Sequence, residues 1–420
     1  MASSRPASAI GGFSSLGQRE WIVLAITFTF WLFDGYETYA LLLTLGPSLH
    51  ELLPAAALRA LPRFAGYLIA TTLFGWAVGG VVGGVFGDRI GRRKTMIGAV
   101  VVYSIFTATS ALSHNWETLA VTRFLTGLGI GAEWGVGASL LQEIWPNDLR
   151  TKGAGVLQAG FSLGFFVASG IWLLLGGVLG TSWRWMYLLG VVPAIIVALC
   201  GRAIPESSRW VSAAQRSGAQ FWSILRTYRR MFLWTVLTSI AITVPFWAIS
   251  SWVPTYAASL GETPRAGVYL ASMAGIWYAV GEIVGCIGFG FLADSWGRRP
   301  TTIVFFIGSL VITPVVFVLV HDANVVVGLQ FVNGALTGGI YSWYTIHPPE
   351  LFPTSIRATA VSFIFNVSRF LAMVGPLVSS LLIGFFGGYG IAATAFALIY
   401  LLGIVGVLLL PETKGRLLPE

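Results

Sequence analysis

Charge is scarce in this sequence. Asp, Glu, Lys and Arg make up only 10% of its 420 residues, against roughly a quarter in soluble globular proteins, which excludes a fold whose surface faces mainly water. Cysteine is almost absent. Cys200 and Cys286 stand far apart in apolar surroundings, which excludes a disulfide framework or a thiolate metal cluster. The four histidines, His50, His114, His321 and His347, show no spacing suited to a metal or to a nucleophile and its base, and read as structural or interfacial groups. The run Gly127, Gly129, Gly131 lies inside an apolar stretch rather than between a strand and a helix, so it serves helix packing and not a nucleotide. No metal and no cofactor is implied. The first 18 residues lack an apolar core of signal-peptide length, so the amino terminus is expected to stay uncleaved.

What the sequence does have is apolar length. Hydrophobic residues make up 56% and the mean hydropathy is +0.79. Stretches of about 20 residues, enough to cross a ~30 Å hydrocarbon layer, recur at 20–46, 64–86, 95–113, 117–142, 153–177, 183–203, 231–259, 266–292, 300–320, 323–347, 358–384 and 389–410. The expected fold is an all-α membrane protein of twelve transmembrane helices. With both termini placed in the cytoplasm, most of the 25 Lys and Arg fall in cytoplasmic segments, as the positive-inside rule requires. The net charge of +8 is thus a mark of topology, and its spread over many short loops argues against nucleic acid as a partner. The bilayer is the expected partner, in the inner or plasma membrane.

The chain also repeats itself. Gly87-Asp88-Arg89-Ile90-Gly91-Arg92-Arg93 returns 206 positions later as Ala293-Asp294-Ser295-Trp296-Gly297-Arg298-Arg299. Glu143-Ile144-Trp145-Pro146, followed by Arg150, returns 207 positions on as Glu350-Leu351-Phe352-Pro353, followed by Arg357. Pro205-Glu206-Ser207 returns as Pro411-Glu412-Thr413. Each pair falls on the cytoplasmic side, so the halves are expected to be parallel six-helix repeats: an amino-terminal half at 1–203, a cytoplasmic linker at 204–230 and a carboxy-terminal half at 231–420. Gly75, Gly79, Gly83 and Gly87, and likewise Gly127, Gly131 and Gly135, make stripes that permit close helix contact.

Six charged residues fall inside the spans: Asp34, Glu37, Arg123, Glu133, Glu282 and Arg369. Each costs roughly 2.5–3.5 kcal/mol even on a lenient scale, which makes each a functional candidate. Counting at ~1.5 Å per residue, Asp34, Glu133, Glu282 and Arg369 come out near the midplane, while Glu37 and Arg123 share the outer third and can form an ion pair. That pair is either titratable or a permanent structural bridge.

With these residues in view, the sequence resembles the major facilitator superfamily over nearly its whole length, and within it the sugar-porter and metabolite:proton symporter branches. GlyAspArgIleGlyArgArgLys at 87–94 and AlaAspSerTrpGlyArgArg at 293–299 are similar to the family's loop signatures. ProGluSerSerArgTrp at 205–210 and ProGluThrLysGly at 411–415 are similar to the branch's tags after helices six and twelve. The segment 123–138 resembles helix four of proton symporters for small organic acids, including the sialate and lactate type.

The resemblance implies that Glu37 and Arg123 are the proton-coupling pair, with Asp34 a second acid that can titrate. It implies substrate contact for Arg369 in helix eleven and Gln158 in helix five, with Glu133, Glu282, Asn366, Tyr341 and Trp343 as further candidates. Arg369 can hold a substrate carboxylate bidentately, or bridge internally to Glu282 or Glu133. The resemblance further implies a cytoplasmic gate of Asp88, Arg89, Arg92, Arg93, Glu143 and Arg150, repeated in Asp294, Arg298, Glu350 and Arg357. Exposed ion pairs are worth about 0–1 kcal/mol each, which suits a latch that must yield.

The expected function is proton-coupled symport of a small organic anion by alternating access, the chain working as a monomer. The alternative within transport is a neutral sugar or polyol. An intramembrane enzyme is disfavoured by the lack of any Ser/His, paired-Asp or metal-ligand constellation in the spans, and a non-transporting sensor by the lack of a long soluble tail.

Overall fold

The computed structural model describes residues 13–216, 226–250, 252–374 and 385–419, and among them the chain is helical with no strand. The amino-terminal repeat comprises α1 (Gln18–Leu52), α2 (Leu61–Ile90), α3 (Arg92–Ser110), α4 (Trp116–Ile144), α5 (Arg150–Trp172) and α6 (Arg184–Ala203). A short helix, α7 (Ser208–Arg216), follows. The second repeat runs through α8 (Arg229–Ser250), α9 (Val253–Ser259), α10 (Pro264–Ser295), α11 (Arg298–Leu319), α12 (Ala323–Leu351), α13 (Arg357–Ala372) and α14 (Tyr389–Leu408).

Local signals set several boundaries. Asn115 accepts from the Thr118 N–H at 2.8 Å to start α4, and Asp322 accepts from Asn324 and Val325 at 3.0 and 2.9 Å to start α12, each satisfying a donor that the first turn leaves open. The α2–α3 and α10–α11 turns pass through Gly91 (φ 104°) and Gly297 (φ 108°), a backbone region where a side chain is strained. These glycines occupy matching places in the repeated loop motif.

Nine helices among the described residues are long and apolar enough to cross a membrane. The other expected spans match α1, which Asp34 and Glu37 make more polar, α3, which opens on three basic residues, and α13, of which 375–384 lie outside the described residues. The expected span 231–259 comprises two helices, α8 and α9, and α1 extends beyond the expected end to Leu52. Large apolar side chains such as Leu199, Leu319 and Val121 point outward, while the six in-span charges and many span hydroxyls are buried. That is the arrangement a lipid-facing bundle requires.

The glycine stripes join α2 to α4. A methyl group on Gly75 or Gly79 would strike the carbonyl of Phe124 or Leu128, and one on Gly127 or Gly131 the carbonyl of Thr72 or Trp76. The second half repeats this contact in an equivalent register, with Gly281 and Gly285 of α10 against Phe331 and Ala335, and Gly334 and Gly338 of α12 against Tyr278 and Glu282. Between the halves, α2 packs on α13 and α5 on α10, two contacts that exchange under the repeat relation. The molecule is therefore a pair of parallel six-helix repeats.

Gly79→Ala should lower the thermal stability of the detergent-purified protein, by about 1–3 kcal/mol of overpacking. Gly98, with nothing within 4 Å of an added Cβ, should tolerate Ala with no loss or a gain of up to ~1 kcal/mol. Equal melting temperatures for the two variants would contradict the α2–α4 contact.

Candidate functional site

Four of the in-span charges lie along α1 and α4 of the first half, and Glu282 of α10 and Arg369 of α13 belong to the second. Glu37 of α1 and Arg123 of α4 form an ion pair of 3.5 Å, fully buried on both sides. Arg123 also donates to the Glu37 backbone carbonyl at 3.2 Å, and its guanidinium lies 5.3 Å from the centre of the Tyr187 ring of α6. Both Glu37 carboxyl oxygens lack a hydrogen-bond partner, so the contact is charge facing charge without the short forked hydrogen bonds of a tight Arg–carboxylate pair.

One turn closer to the basic end, Asp34 and Glu133 face each other across α1 and α4 within hydrogen-bonding reach. Asp34 Oδ1 and Oδ2 and Glu133 Oε2 are buried with no donor. Two carboxylates cannot satisfy one another, since neither carries a hydrogen to give.

Arg369 of α13 is buried too, and its nearest neighbours are aromatic. The guanidinium carbon sits 4.2 Å from the centre of the Trp76 ring and 3.8 Å from that of Phe365, a cation–π arrangement. One nitrogen donates to the Phe365 carbonyl at 2.7 Å, and Nε has no partner. Among the described residues no carboxylate lies within ion-pair distance of Arg369, so the internal bridge to Glu282 or Glu133 is not formed. The reason is separation by helix: Glu133 is engaged toward Asp34, while Glu282 of α10 lies near Ser162 of α5 and Tyr39 of α1.

An aromatic box surrounds this group and was not foreseen. Trp134 stacks on Phe365 at 3.5 Å between centroids, and Trp31 packs against Trp76, Trp134 and Phe161. Tyr344 was also missed; its hydroxyl bonds the Ser239 and Thr243 hydroxyls at 2.9 and 2.6 Å. The only hint in sequence was position, with Trp31 and Trp134 one turn or less from Asp34 and Glu133.

Of the remaining candidates, Gln158 Oε1, Asn366 Oδ1 and the Tyr341 hydroxyl are buried without a partner and stay available to a ligand, although Asn366 also presses against Gly80. Trp343 is different. Its indole N–H donates to His347 Nδ1 at 3.2 Å, and His347 Nε2 meets the Pro411 carbonyl at 3.0 Å, so Trp343 belongs to the packing beneath the site.

At the basic end the repeated motifs build two ion networks. Glu143 accepts from Arg92 and from Arg357 of the other half, both at 2.9 Å. Glu350 accepts from Arg298 at 2.7 Å and from Arg150 of the other half at 3.0 Å. Asp88 pairs with Arg92 at 2.8 Å and accepts the Thr359 and Ala358 N–H groups that open α13, at 2.7 and 3.2 Å, a helix N-terminus holding an anion.

Two expectations need correction here. These are not exposed pairs: Arg92, Arg357 and Glu143 side chains are 0% accessible, because the halves close over them. And the repeat is imperfect, since Asp294 pairs with Lys152 at 3.0 Å, partly exposed, and not with Arg298. Arg89 is exposed, and Arg93 contributes only its backbone N–H, to Glu206 at 3.3 Å.

The tags after helices six and twelve have a physical role. Glu206 accepts the Arg92 N–H at 3.0 Å at the start of α3, and Glu412 accepts the Arg298 and Arg299 N–H groups at 3.0 and 2.9 Å at the start of α11. Burial disfavours the charge on Glu412, but the N–H donors of Arg298, Arg299 and Lys414 outweigh it and hold its pKa below the ordinary carboxylate value.

Comparison with known proteins follows the same lines. The family model of the Major Facilitator Superfamily matches residues 23–313 and 270–419. A probable 4-methylmuconolactone transporter of Cupriavidus pinatubonensis is 30% identical, over 83% of this chain and 80% of its own. A cis,cis-muconate transport protein of Acinetobacter baylyi is 28% identical over 96% of this chain and 97% of its own. The sialic acid transporter NanX of Escherichia coli is 28% identical over 76% and 78%. Among solved structures, the proton:xylose symporter XylE bound to 6-bromo-6-deoxy-D-glucose superposes with a TM-score of 0.78 at 20% identity, covering 95% of this chain and 98% of that one. At that identity the likeness is one of fold.

The broken symmetry of the gate makes a sharp expectation. Asp88→Asn removes a buried charge from Arg92 and should cost several kcal/mol, in the 3–5 kcal/mol range of broken buried pairs. Asp294→Asn, its counterpart in the repeat, removes an exposed partner of Lys152 and should cost about 0–1 kcal/mol. Melting of the two purified variants checks this, and equal losses would mean that the two loops are energetically equivalent.

Proposed function

The chain is a transporter of the Major Facilitator Superfamily and not an enzyme, and on that premise we propose that it carries a small organic anion together with protons by alternating access. The observation that carries this reading is Arg369. A buried guanidinium that no carboxylate contacts among the described residues suits an anion, and its planar fork suits a carboxylate. The Trp76 and Phe365 rings against it offer apolar faces to an unsaturated or aromatic acid. The relatives named for muconate and sialic acid support the same class of substrate.

Glu37 and Arg123 are the coupling pair. When Glu37 is ionised, Arg123 holds it across α1 and α4; when Glu37 takes a proton the attraction ends, and the two helices are free to separate. Asp34 is close enough to bias this step by its own charge. Gln158, Asn366 and Tyr341 complete the substrate contacts with polar atoms that lack partners in the protein.

We read the basic end as cytoplasmic, following the positive-inside rule, with both termini on that side and 204–230 as the linker between halves. The Glu143–Arg357 and Arg150–Glu350 bridges then close the cytoplasmic path. They break as the carrier opens inward, when water replaces each lost partner. One chain supplies both halves, so the monomer is the working unit. The neutral-sugar reading has one feature in its favour, the three unpartnered neutral groups of Gln158, Asn366 and Tyr341.

In proteoliposomes, an inward proton gradient should drive concentrative uptake of cis,cis-muconate or 4-hydroxybenzoate and not of xylose, and a protonophore should abolish it. Uptake of the acids indifferent to the gradient, or of xylose alone, would reject the proposal.

Glu37→Gln should lose concentrative uptake while exchange between preloaded vesicles survives. Arg369→Lys keeps the charge without the fork and should weaken binding about tenfold or more, the loss of one charge-assisted hydrogen bond at roughly 1.5–3 kcal/mol. The loss should fall on the acid and spare its neutral amide. Equal losses for acid and amide would mean that Arg369 holds the bundle together.

A further inference from the structure

The midplane holds more acid than base. Counting the outer-third pair as well, Asp34, Glu37, Glu133 and Glu282 are buried within the spans with Arg123 and Arg369, so four acids face two cations, and two negative charges remain over if all are ionised. Glu37 is met by Arg123. Glu282 sits apart, near Ser162 and Tyr39. Asp34 and Glu133 meet only each other, with three of their four carboxyl oxygens lacking a hydrogen-bond donor.

None of the groups around that pair donates a hydrogen bond to the three unpartnered oxygens. From α1 there is Glu37, another acid; from α3, the Tyr103 hydroxyl lies near the pair but has no partner; from α13, Arg369 acts on Asp34 only at a distance. A hydrogen between the two carboxyls satisfies both at once.

We propose that Asp34 and Glu133 share one proton in the empty carrier, a second proton-binding site apart from the Glu37–Arg123 pair. Of the four acids, Asp34 is the one whose charge bears on Arg369. When a substrate carboxylate reaches Arg369 it takes over as counter-charge, and the remaining Asp34–Glu133 negative charge accepts a proton from the open side. One carboxylate becomes one carboxylic acid for each anion bound, so the pair couples the two without a net change of buried charge. Glu133 is then a proton partner and not a substrate contact. This deepens the proton-coupled reading, but its first test does not depend on that reading.

Infrared spectra of the purified full-length protein in lipid nanodiscs, taken at neutral pH without any substrate, should show a protonated-carboxyl C=O stretch. Asp34→Asn and Glu133→Gln should each remove the same band. Glu133→Asp should shift it without removing it, Glu37→Gln should leave it in place, and Glu282→Gln should affect a different one. A band absent from the unmodified protein, or one that survives both Asp34→Asn and Glu133→Gln, overturns the shared proton.

A second measurement reads the coupling. Binding of 4-hydroxybenzoate to the purified protein in weak buffer should take up about one proton, retained in Glu37→Gln and lost when Asp34→Asn and Glu133→Gln are combined. Binding with no proton uptake, or loss of uptake in Glu37→Gln alone, overturns the coupling role, and if this probe does not bind, the infrared result still decides the site. Proton-driven uptake without the infrared band would remove the pair and leave the proposed function standing. The band without proton-driven uptake would do the reverse.

Discussion

A charged group held in hydrocarbon has to find its counter-charge inside the protein, because a carboxylate or guanidinium left bare there costs several kcal/mol. That constraint orders this molecule. At the basic end it is met completely: Glu143 and Glu350 each accept from two arginines, one from either half. At the midplane it is met only in part, with Arg369 resting on aromatic rings and Asp34 and Glu133 facing one another. Satisfied charges hold a conformation in place. Unsatisfied ones wait for something to arrive, and the two mobile species that can answer them are an anion and a proton.

The repeat explains the first condition and its absence explains the second. The loop motif, the Glu–Arg network, the helix caps of Glu206 and Glu412 and the glycine contacts of α2–α4 and α10–α12 all recur, so both halves close with the same parts. The in-span charges do not recur. Asp34, Glu37, Arg123 and Glu133 belong to the first half, whereas the second has Glu282 and Arg369. A symmetric frame thus carries an asymmetric centre, with acids gathered on α1 and α4 and the free guanidinium across from them on α13. In the proposed cycle, rocking of one half against the other changes the distance between these two sets, which ties the charge state of one to the occupancy of the other.

Much of this was legible in the sequence, for identifiable reasons. Spans are legible because every backbone group in lipid must be bonded within its own helix, which leaves apolar length as the signal. The gate residues are legible because they are short motifs present twice. The meeting of different helices was legible only in part: depth paired Glu37 with Arg123, but not Asp34 with Glu133. Helix spacing alone puts Asp34 on the face of Glu37, three residues on, whereas the carboxyl it meets is Glu133 on α4, a neighbour set by the Gly35 contact with α5 and the packing of α1 on α4. Burial of the latch was hidden likewise, since the exposure of Arg92 and Arg357 depends on how the two halves close. The glycines of α10 and α12 stood in an equivalent register to those of α2 and α4 and could have been found by extending the repeat.

If the two buried ion networks form the proposed gate, their burial also bears on how it opens. Buried ion pairs contribute little net stability when both partners are intact, because desolvation offsets attraction, yet removing one partner is costly. A latch of this kind is stiff toward mutation and soft toward hydration. When the halves part at the basic end, Arg92, Glu143 and Arg357 exchange one another for water at nearly constant free energy, whereas at the midplane no such exchange is available to Arg369 until an anion or water reaches it. The energy that selects between open and closed forms therefore has to come from the centre of the molecule, and the number of charges compensated there sets which end can open.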